Sequence, residues 1–217
     1  MKHLMRKEIL LAAPPITWIF LAGALLTMVP GYPILLSAFF VCFGLFQSFQ
    51  LGRENNDILY TVLLPVRKRD AVLAKYGFVA LVQFIGFLIC ETLTVIRMTV
   101  LSQASAYQSN ALMNASPLFL AFVLLIFSAF NVLFVGGFFK TAYKIGVPFL
   151  SFGIVTLLLV FIGEAIHFVP GWEVFNTPSG AKLPLQFAFL AAALVIYLAA
   201  TFLSCRASMR RFEKLDL

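Results

Sequence analysis

The chain has 217 residues, of which 62% are hydrophobic and only 12% charged, with a mean hydropathy of +0.99 and a net charge of +7. Soluble domains carry roughly 25% charged residues, so this chain has too little polar surface to face water, and a lipid bilayer is the solvent that suits it. Six membrane helices of ~20 residues each would leave too little chain for a separate soluble domain. The expected fold is therefore all-α and polytopic, a single transmembrane domain over 1–217.

In chain order, the opening MKHLMRKEILLA places Leu4, Met5, Ile9 and Ala12 on one side of a helix and Lys2, His3, Arg6 and Lys7 on another. This is the form of a short amphipathic helix lying in the membrane interface over 1–13. An uncleaved signal anchor with a basic flank is the plainer reading. Pro14 and Pro15 then redirect the chain. Apolar runs predict spans over about 16–29, 34–51, 76–101, 118–139, 145–166 and 183–205. Pro30, Gly31 and Pro33 make the first turn, and Trp172 in the last long loop suits an interface belt.

Orientation follows from the basic residues. Fourteen of the 16 lie in the opening helix, the loop 53–75, the turn holding Lys140 and Lys144, and the tail. Only Lys182 lies in a loop on the other side, and Arg97 lies within a span. The positive-inside rule then places both termini in the cytoplasm. The net positive charge faces the anionic inner leaflet, with no need for nucleic acid.

Several chemistries have no motif here. There is no G-x-x-x-x-G-K-[ST] phosphate loop, no H-E-x-x-H helix and no G-x-S-x-G elbow. His3 and His167 stand at opposite ends, which argues against a histidine-rich metal site. Cys42, Cys90 and Cys205 are scattered through apolar runs and form neither a zinc pattern nor a disulfide framework. Glu91, Arg97 and Glu164 sit at membrane depth, where an ionisable group points to function. Glu91 and Arg97 are candidates to line a transport path. Six positions apart, they stand about 240° around the helix from each other and do not pair within it. Arg97 and Glu164 are also near enough to their span ends to reach the interface.

The loop over 53–75 differs from the other connections. Asn55, Asn56 or Asp57 can cap a helix start. Ile58, Leu59, Val62 and Leu63 then form an apolar stripe at helical spacing. Pro65 ends that helix, and Asp70 can cap the next, which runs on into the third span. Such a short amphipathic helix either rests on lipid or docks on a soluble partner.

The segment LLPVRKRDAVLAKY, from Leu63 to Tyr76, resembles the loop between the second and third spans in permease subunits of ABC-2 type transporters. There a Leu-Pro pair precedes a basic and hydroxyl stretch, an acidic residue and Lys-Tyr. The opening helix resembles their N-terminal interfacial helix, and length and six-span layout agree across essentially the whole chain. Arg67 and Lys68 stand where many members carry Ser or Thr.

The resemblance implies a half-transporter of the bacterial cell membrane, one that dimerises with itself or a related permease. Each copy would engage a separate ATP-binding cassette ATPase, which holds the ATP and Mg, so this chain would carry no cofactor and no enzymatic activity. The loop helix becomes a coupling helix between helices 2 and 3. Its partner-facing residues would be Glu54, Asn55, Asp57, Leu59, Tyr60, Val62, Leu63 and Pro65, with Arg67, Lys68, Arg69 and Asp70 at its edge. Substrates in such systems include peptides, among them cytolytic peptides and bacteriocins, and amphipathic drugs. Short outer loops fit export better than assisted import. Two other classes remain in view: the substrate-capturing membrane subunit of a vitamin importer, which needs no coupling helix of its own, and an intramembrane enzyme, which needs clustered polar residues at one depth.

The charge asymmetry gives a direct test. In a background free of Cys42, Cys90 and Cys205, a membrane-impermeant thiol reagent applied to intact cells should label Ser109→Cys and should not label Arg69→Cys; labelling of Arg69→Cys would invert the topology.

Overall fold

The computed structural model describes residues 2–12, 15–108, 110, 112–141, 144–172, 175 and 183–214. Ser109 and Lys182 lie outside the described residues. Helix α1 (Lys2–Lys7) widens into a π-helical turn over Glu8–Ala12. Helix α2 (Pro15–Ile19) continues as a 3₁₀ helix over Phe20–Met28. There follow α3 (Leu36–Glu54), α4 (Asp57–Leu63), α5 (Lys68–Thr99) and the single turn α6 (Ser105–Gln108). Helix α7 (Pro117–Ala129) passes through a π-helical turn at Phe130–Val135 into α8 (Gly136–Thr141). Helices α9 (Gly146–Ala165) and α10 (Leu183–Glu213) complete the fold. The described residues contain no strand.

Four helical stretches are each long and apolar enough to cross a bilayer: Lys68–Thr99, Pro117–Thr141, Gly146–Ala165 and Leu183–Glu213. A pair bent by 81°, His3–Leu10 with Pro15–Met28, passes the same test when its two arms are taken together, as a broken span or a re-entrant loop, giving up to five candidates among the described residues. Helix α3 does not meet it alone; its last turns carry Gln47, Gln50, Arg53 and Glu54. Over Phe20–Met28 the 3₁₀ form rises about 2.0 Å per residue against about 1.5 Å in an α-helix. That stretches a short apolar segment toward membrane thickness.

Helix boundaries depart from the sequence expectation in informative ways. Helix α5 begins at Lys68 with Arg67 at the cap, so Asp70 lies in the first turn, where a carboxylate favours the positive end of the helix dipole, and is not the cap. Asn56 holds the cap position of α4 in a left-handed conformation (φ 51°) and makes no side-chain capping bond. Helix α10 does not stop at Cys205 but runs through the basic tail to Glu213, where the carboxylate binds the Arg69 guanidinium of α5, with Nη2 to Oε2 at 3.0 Å.

The core is built largely from phenylalanine. Phe39, Phe43, Phe46 and Phe49 come from α3 and meet Phe134 of the π turn, Phe138 of α8, and Phe149 and Phe152 of α9, while Phe130 of the turn packs on Phe134 and Phe152. Phe46 stacks on Phe149 with ring centres 4.0 Å apart, and Phe49 meets Phe138 edge-on at 4.9 Å. Lipid tails are as apolar as these rings, so such contacts hold helices together by fit rather than by escape from solvent. Small residues make the fit possible. At Gly44 an added Cβ would stand 2.7 Å from Phe20 Cβ and 2.9 Å from the Thr17 carbonyl oxygen. The same crossing is bonded, because Thr17 Oγ1 donates to the Gly44 carbonyl at 3.0 Å.

Gly44→Ala therefore forces α2 away from α3 against fixed backbone, a strain of about 1–3 kcal/mol. The expected outcome is a lower thermal unfolding midpoint for the purified protein in detergent, and an unchanged midpoint would show that the crossing can open freely.

Candidate functional site

At the end of the bundle that carries most of the basic residues, three elements meet around a buried cluster of charge. Helix α1 and its π turn supply Lys7 and Glu8, α4 supplies Asp57 and Thr61, and α5 supplies Lys75. Glu8 and Lys75 are each only 5% exposed in their side chains, and Lys75 Nζ lies 2.6 Å from Glu8 Oε2. Lys7 Nζ bonds Asp57 Oδ1 at 2.5 Å, Glu8 Oε1 at 3.2 Å and Thr61 Oγ1 at 2.8 Å. Asp57 Oδ2 also faces Lys75 at 3.6 Å. Two cations thus alternate with two carboxylates, and the Lys75 ammonium further sits 5.3 Å from the Phe49 ring centre. Burial disfavours the Lys7 charge, yet the carboxylates of Glu8 and Asp57 outweigh it and raise its pKa above the ordinary lysine value.

This cluster corrects the expected partition of the opening helix. Leu4 is buried and Met5 and Ile9 are half-buried, as the pattern suggested, while Ala12 lies outside the described side chains. His3 and Arg6 face outward, but Lys7 turns inward with Glu8. The π-helical turn begins at Glu8, so it changes the register where the carboxylate enters the protein.

The cluster also fixes how α4 is oriented. The expected stripe of Ile58, Leu59, Val62 and Leu63 divides between two faces. Ile58 and Val62 pack on the core and Thr61 is buried. Leu59, Tyr60, Leu63 and Leu64 point away from the protein, with Leu63 82% exposed. Asp57 tethers the start of the helix inward, and Thr61 Oγ1 donates to the Asp57 carbonyl one turn back at 2.7 Å. The remaining residues expected at a partner surface surround this face: Glu54, Asn55, Pro65, Arg67 and Arg69 are exposed, and Lys68 and Asp70 are half-buried.

The two candidates for a transport path lie apart from this cluster. Glu91 is exposed on the flank of α5, on a face with Phe84, Leu88 and Val95. Arg97 is buried near the other end of α5. Its Nη1 donates to the Thr27 carbonyl at 2.5 Å and its Nη2 to Asn114 Oδ1 at 3.3 Å, and its guanidinium lies 4.3 Å from the Tyr107 ring centre. The Tyr107 hydroxyl donates to the Met28 carbonyl at 2.9 Å, so Arg97 holds the 3₁₀ helix and the loop after α5 together. Glu164, the third ionisable group at depth, accepts the Met113 backbone N–H at 2.7 Å. Among the described residues no group of His, Cys, Asp or Glu side chains could hold a metal ion, and the three cysteines are buried thiols.

Sequence reasoning missed Glu8. Its signal was available: Glu8 is the only acidic residue before Glu54, and it interrupts a basic amphipathic helix. A lone carboxylate there marks an intramolecular ion pair.

Taken together, the apolar helices and the short helix seated on a buried ion cluster at their basic end define a multi-pass helical membrane protein. The sequence profile of the family described as ABC-2 family transporter protein matches residues 3–213, and the chain belongs to that family. Membership implies the membrane component of an ATP-binding cassette transporter, a role generally without enzymatic activity, and partnership with a cassette ATPase. No curated protein and no solved structure matches the chain.

Removing one member of a buried pair leaves the other charge uncompensated, at about 3–5 kcal/mol. Glu8→Ala should therefore lower the unfolding midpoint sharply, while Glu8→Ala combined with Lys75→Met should recover much of the loss. Equal midpoints for Glu8→Ala and the wild type would show that Asp57 alone neutralises Lys75.

Proposed function

We propose that this chain is the membrane-spanning permease subunit of an ATP-binding cassette exporter, with six spans, both termini cytoplasmic, and α4 as the helix that engages the ATPase. The observation that carries the reading is the division of α4. Its inner face is fixed by ion pairs and hydrogen bonds, while its outer face presents Leu59, Tyr60, Leu63 and Leu64. A helix that only rested on lipid would need no such anchorage on its other side. A helix that passes force between a soluble motor and the spans needs both faces.

The exposed face has the composition of a docking ridge, apolar and aromatic at its centre with Arg53, Glu54 and Arg67 around it. Burying one Leu is worth roughly 1.5–3 kcal/mol, so Leu59 and Leu63 together offer a substantial share of a partner interface before the costs of association. In this reading the permease acts as a dimer with itself or a related chain in the bacterial cell membrane, and ATP and Mg are held by the ATPase. The substrate is a peptide or an amphipathic small molecule. Short outer connections support export. The coupling helix separates this reading from the capturing subunit of a vitamin importer, and Glu91 and Arg97, at different sites on α5, do not form the clustered site that an intramembrane enzyme needs.

Leu63→Asp should abolish co-purification of the cassette ATPase and uncouple its hydrolysis from export. The permease itself should still insert and unfold at its normal temperature, because Leu63 contributes nothing to the core. An ATPase that stays bound with normal coupling would remove α4 from the interface.

A further inference from the structure

Inside the bundle, α5, α7 and α10 share a chain of polar side chains centred on Asn131. Asn131 is buried in the π-helical turn of α7. Its amide and that of Gln83 on α5 bond each other reciprocally, both contacts at 3.0 Å. Asn131 Nδ2 also donates to Thr201 Oγ1 at 2.8 Å, and the Tyr197 hydroxyl donates to Gln83 Oε1 at 3.0 Å, both from α10.

The backbone of the turn takes part as well. In an α-helix the Asn131 carbonyl would accept from residue 135; here it accepts from the Gly136 N–H, five residues on. The widened turn opens that carbonyl to side chains. Ser204 Oγ donates to it at 2.8 Å, and the Tyr76 hydroxyl donates toward it at 3.4 Å. Tyr76 also lies 2.8 Å from Ser204 Oγ and 3.0 Å from Ser208 Oγ. Gly136 is required by this approach, since a Cβ there would stand 2.9 Å from Ser204 Oγ.

Tyr76 is the neighbour of Lys75. One step along α5, therefore, the chain passes from the ion cluster that holds α1 and α4 to the hydroxyl that holds α7 and α10. Single-turn π helices recur at functional sites. Within lipid, a loosened backbone carbonyl must find another partner. Several weak partners from two other helices give the turn alternatives that a regular ladder lacks.

We propose that Tyr76 and the π-helical turn at Asn131 form a joint that passes displacement of α4, through Lys75, to α7 and α10. Tyr76, Asn131 and Ser204 are positioning residues of this joint. The biological input rests on the proposed docking role of α4, but the joint is a property of this chain alone and is tested without an ATPase.

The test is hydrogen exchange on the purified full-length chain in lipid nanodiscs, for wild type, Asp57→Asn, Tyr76→Phe and the double variant. Asp57→Asn weakens the hold on α4 about one helix away from the turn. It should raise exchange over 131–138 about fivefold or more, the lower edge of typical coupling between sites, and leave α9 unchanged. In the Tyr76→Phe background the same change should produce no further rise. Should Tyr76→Phe fail to fold, Ser204→Ala with Ser208→Ala removes its partners on α10 and serves in its place. No rise at the turn, an equal rise in both backgrounds, or a rise shared by α9 would each overturn the joint. An ATPase that ignores Leu63→Asp would sink the docking role and leave this result standing.

Discussion

Lys75 is a full positive charge nearly closed off from solvent at the point where α5 enters the apolar bundle. An ammonium in that position is tolerable only if carboxylates meet it there. Glu8 reaches it from the opening helix and Asp57 from α4. Much of the basic end follows from this demand. The opening helix is drawn against α5 closely enough that a Cβ at Gly77 would stand 2.9 Å from Met5 Sδ. Helix α4 is held to the cluster through Asp57 and Thr61, and Leu59, Tyr60, Leu63 and Leu64 are left facing outward.

The apolar part of the fold is governed by a different rule. In a membrane the phenylalanine core contributes shape and dispersion, but it gives no preference for protein over lipid. Specific pairing must come from close approach and from hydrogen bonds. Both devices are placed at definite crossings. Gly44 brings α3 against the Thr17 backbone of α2, and Gly136 brings α8 against Ser204 of α10. The reciprocal amide pair of Gln83 and Asn131 joins α5 to α7 with no polar atom left over on the facing edges.

Much of the architecture was legible because membrane thickness and charge distribution leave few options. Four of the six expected spans coincide with helices long and apolar enough to cross a bilayer, two of them extended by about two turns at their basic ends, and the α4 helix lies where Pro65 and the Asn55–Asp57 turn put it. The faces of the short helices were not legible. Helical spacing grouped Leu59 with Val62, but a seven-residue helix has two apolar sides, and the choice between them was made by Asp57 binding Lys7 fifty residues away. The inward turn of Glu8 and the widening of α7 depend on partners in other helices, and neither has a local propensity signal. Attention to charge alone favoured Glu91 and Arg97, whereas the connected polar chain consists of neutral Gln83, Asn131, Thr201 and Ser204, whose residue types are ordinary in membrane helices.

Helices α5 and α7 differ in a way that bears on how the bundle could move. Helix α5 runs for 32 residues without a proline or a change of helical form, which is about 48 Å at 1.5 Å per residue. Near its start it is bound to α1 and α4 through Lys75; near its end Arg97 binds the Thr27 carbonyl and Asn114. A displacement applied at the basic end of such a rod must appear at the Arg97 end or be taken up by its neighbours. Helix α7 is the neighbour built to take it up. Its ladder is interrupted at Phe130–Val135, and the interruption lies level with Tyr76 and Gln83 of the rod. In the proposed joint the rigid element stands next to the ion cluster and the compliant one beside it, an arrangement in which a small shift at α4 would re-space α7 and α10 without breaking the rod that connects the two ends of the protein.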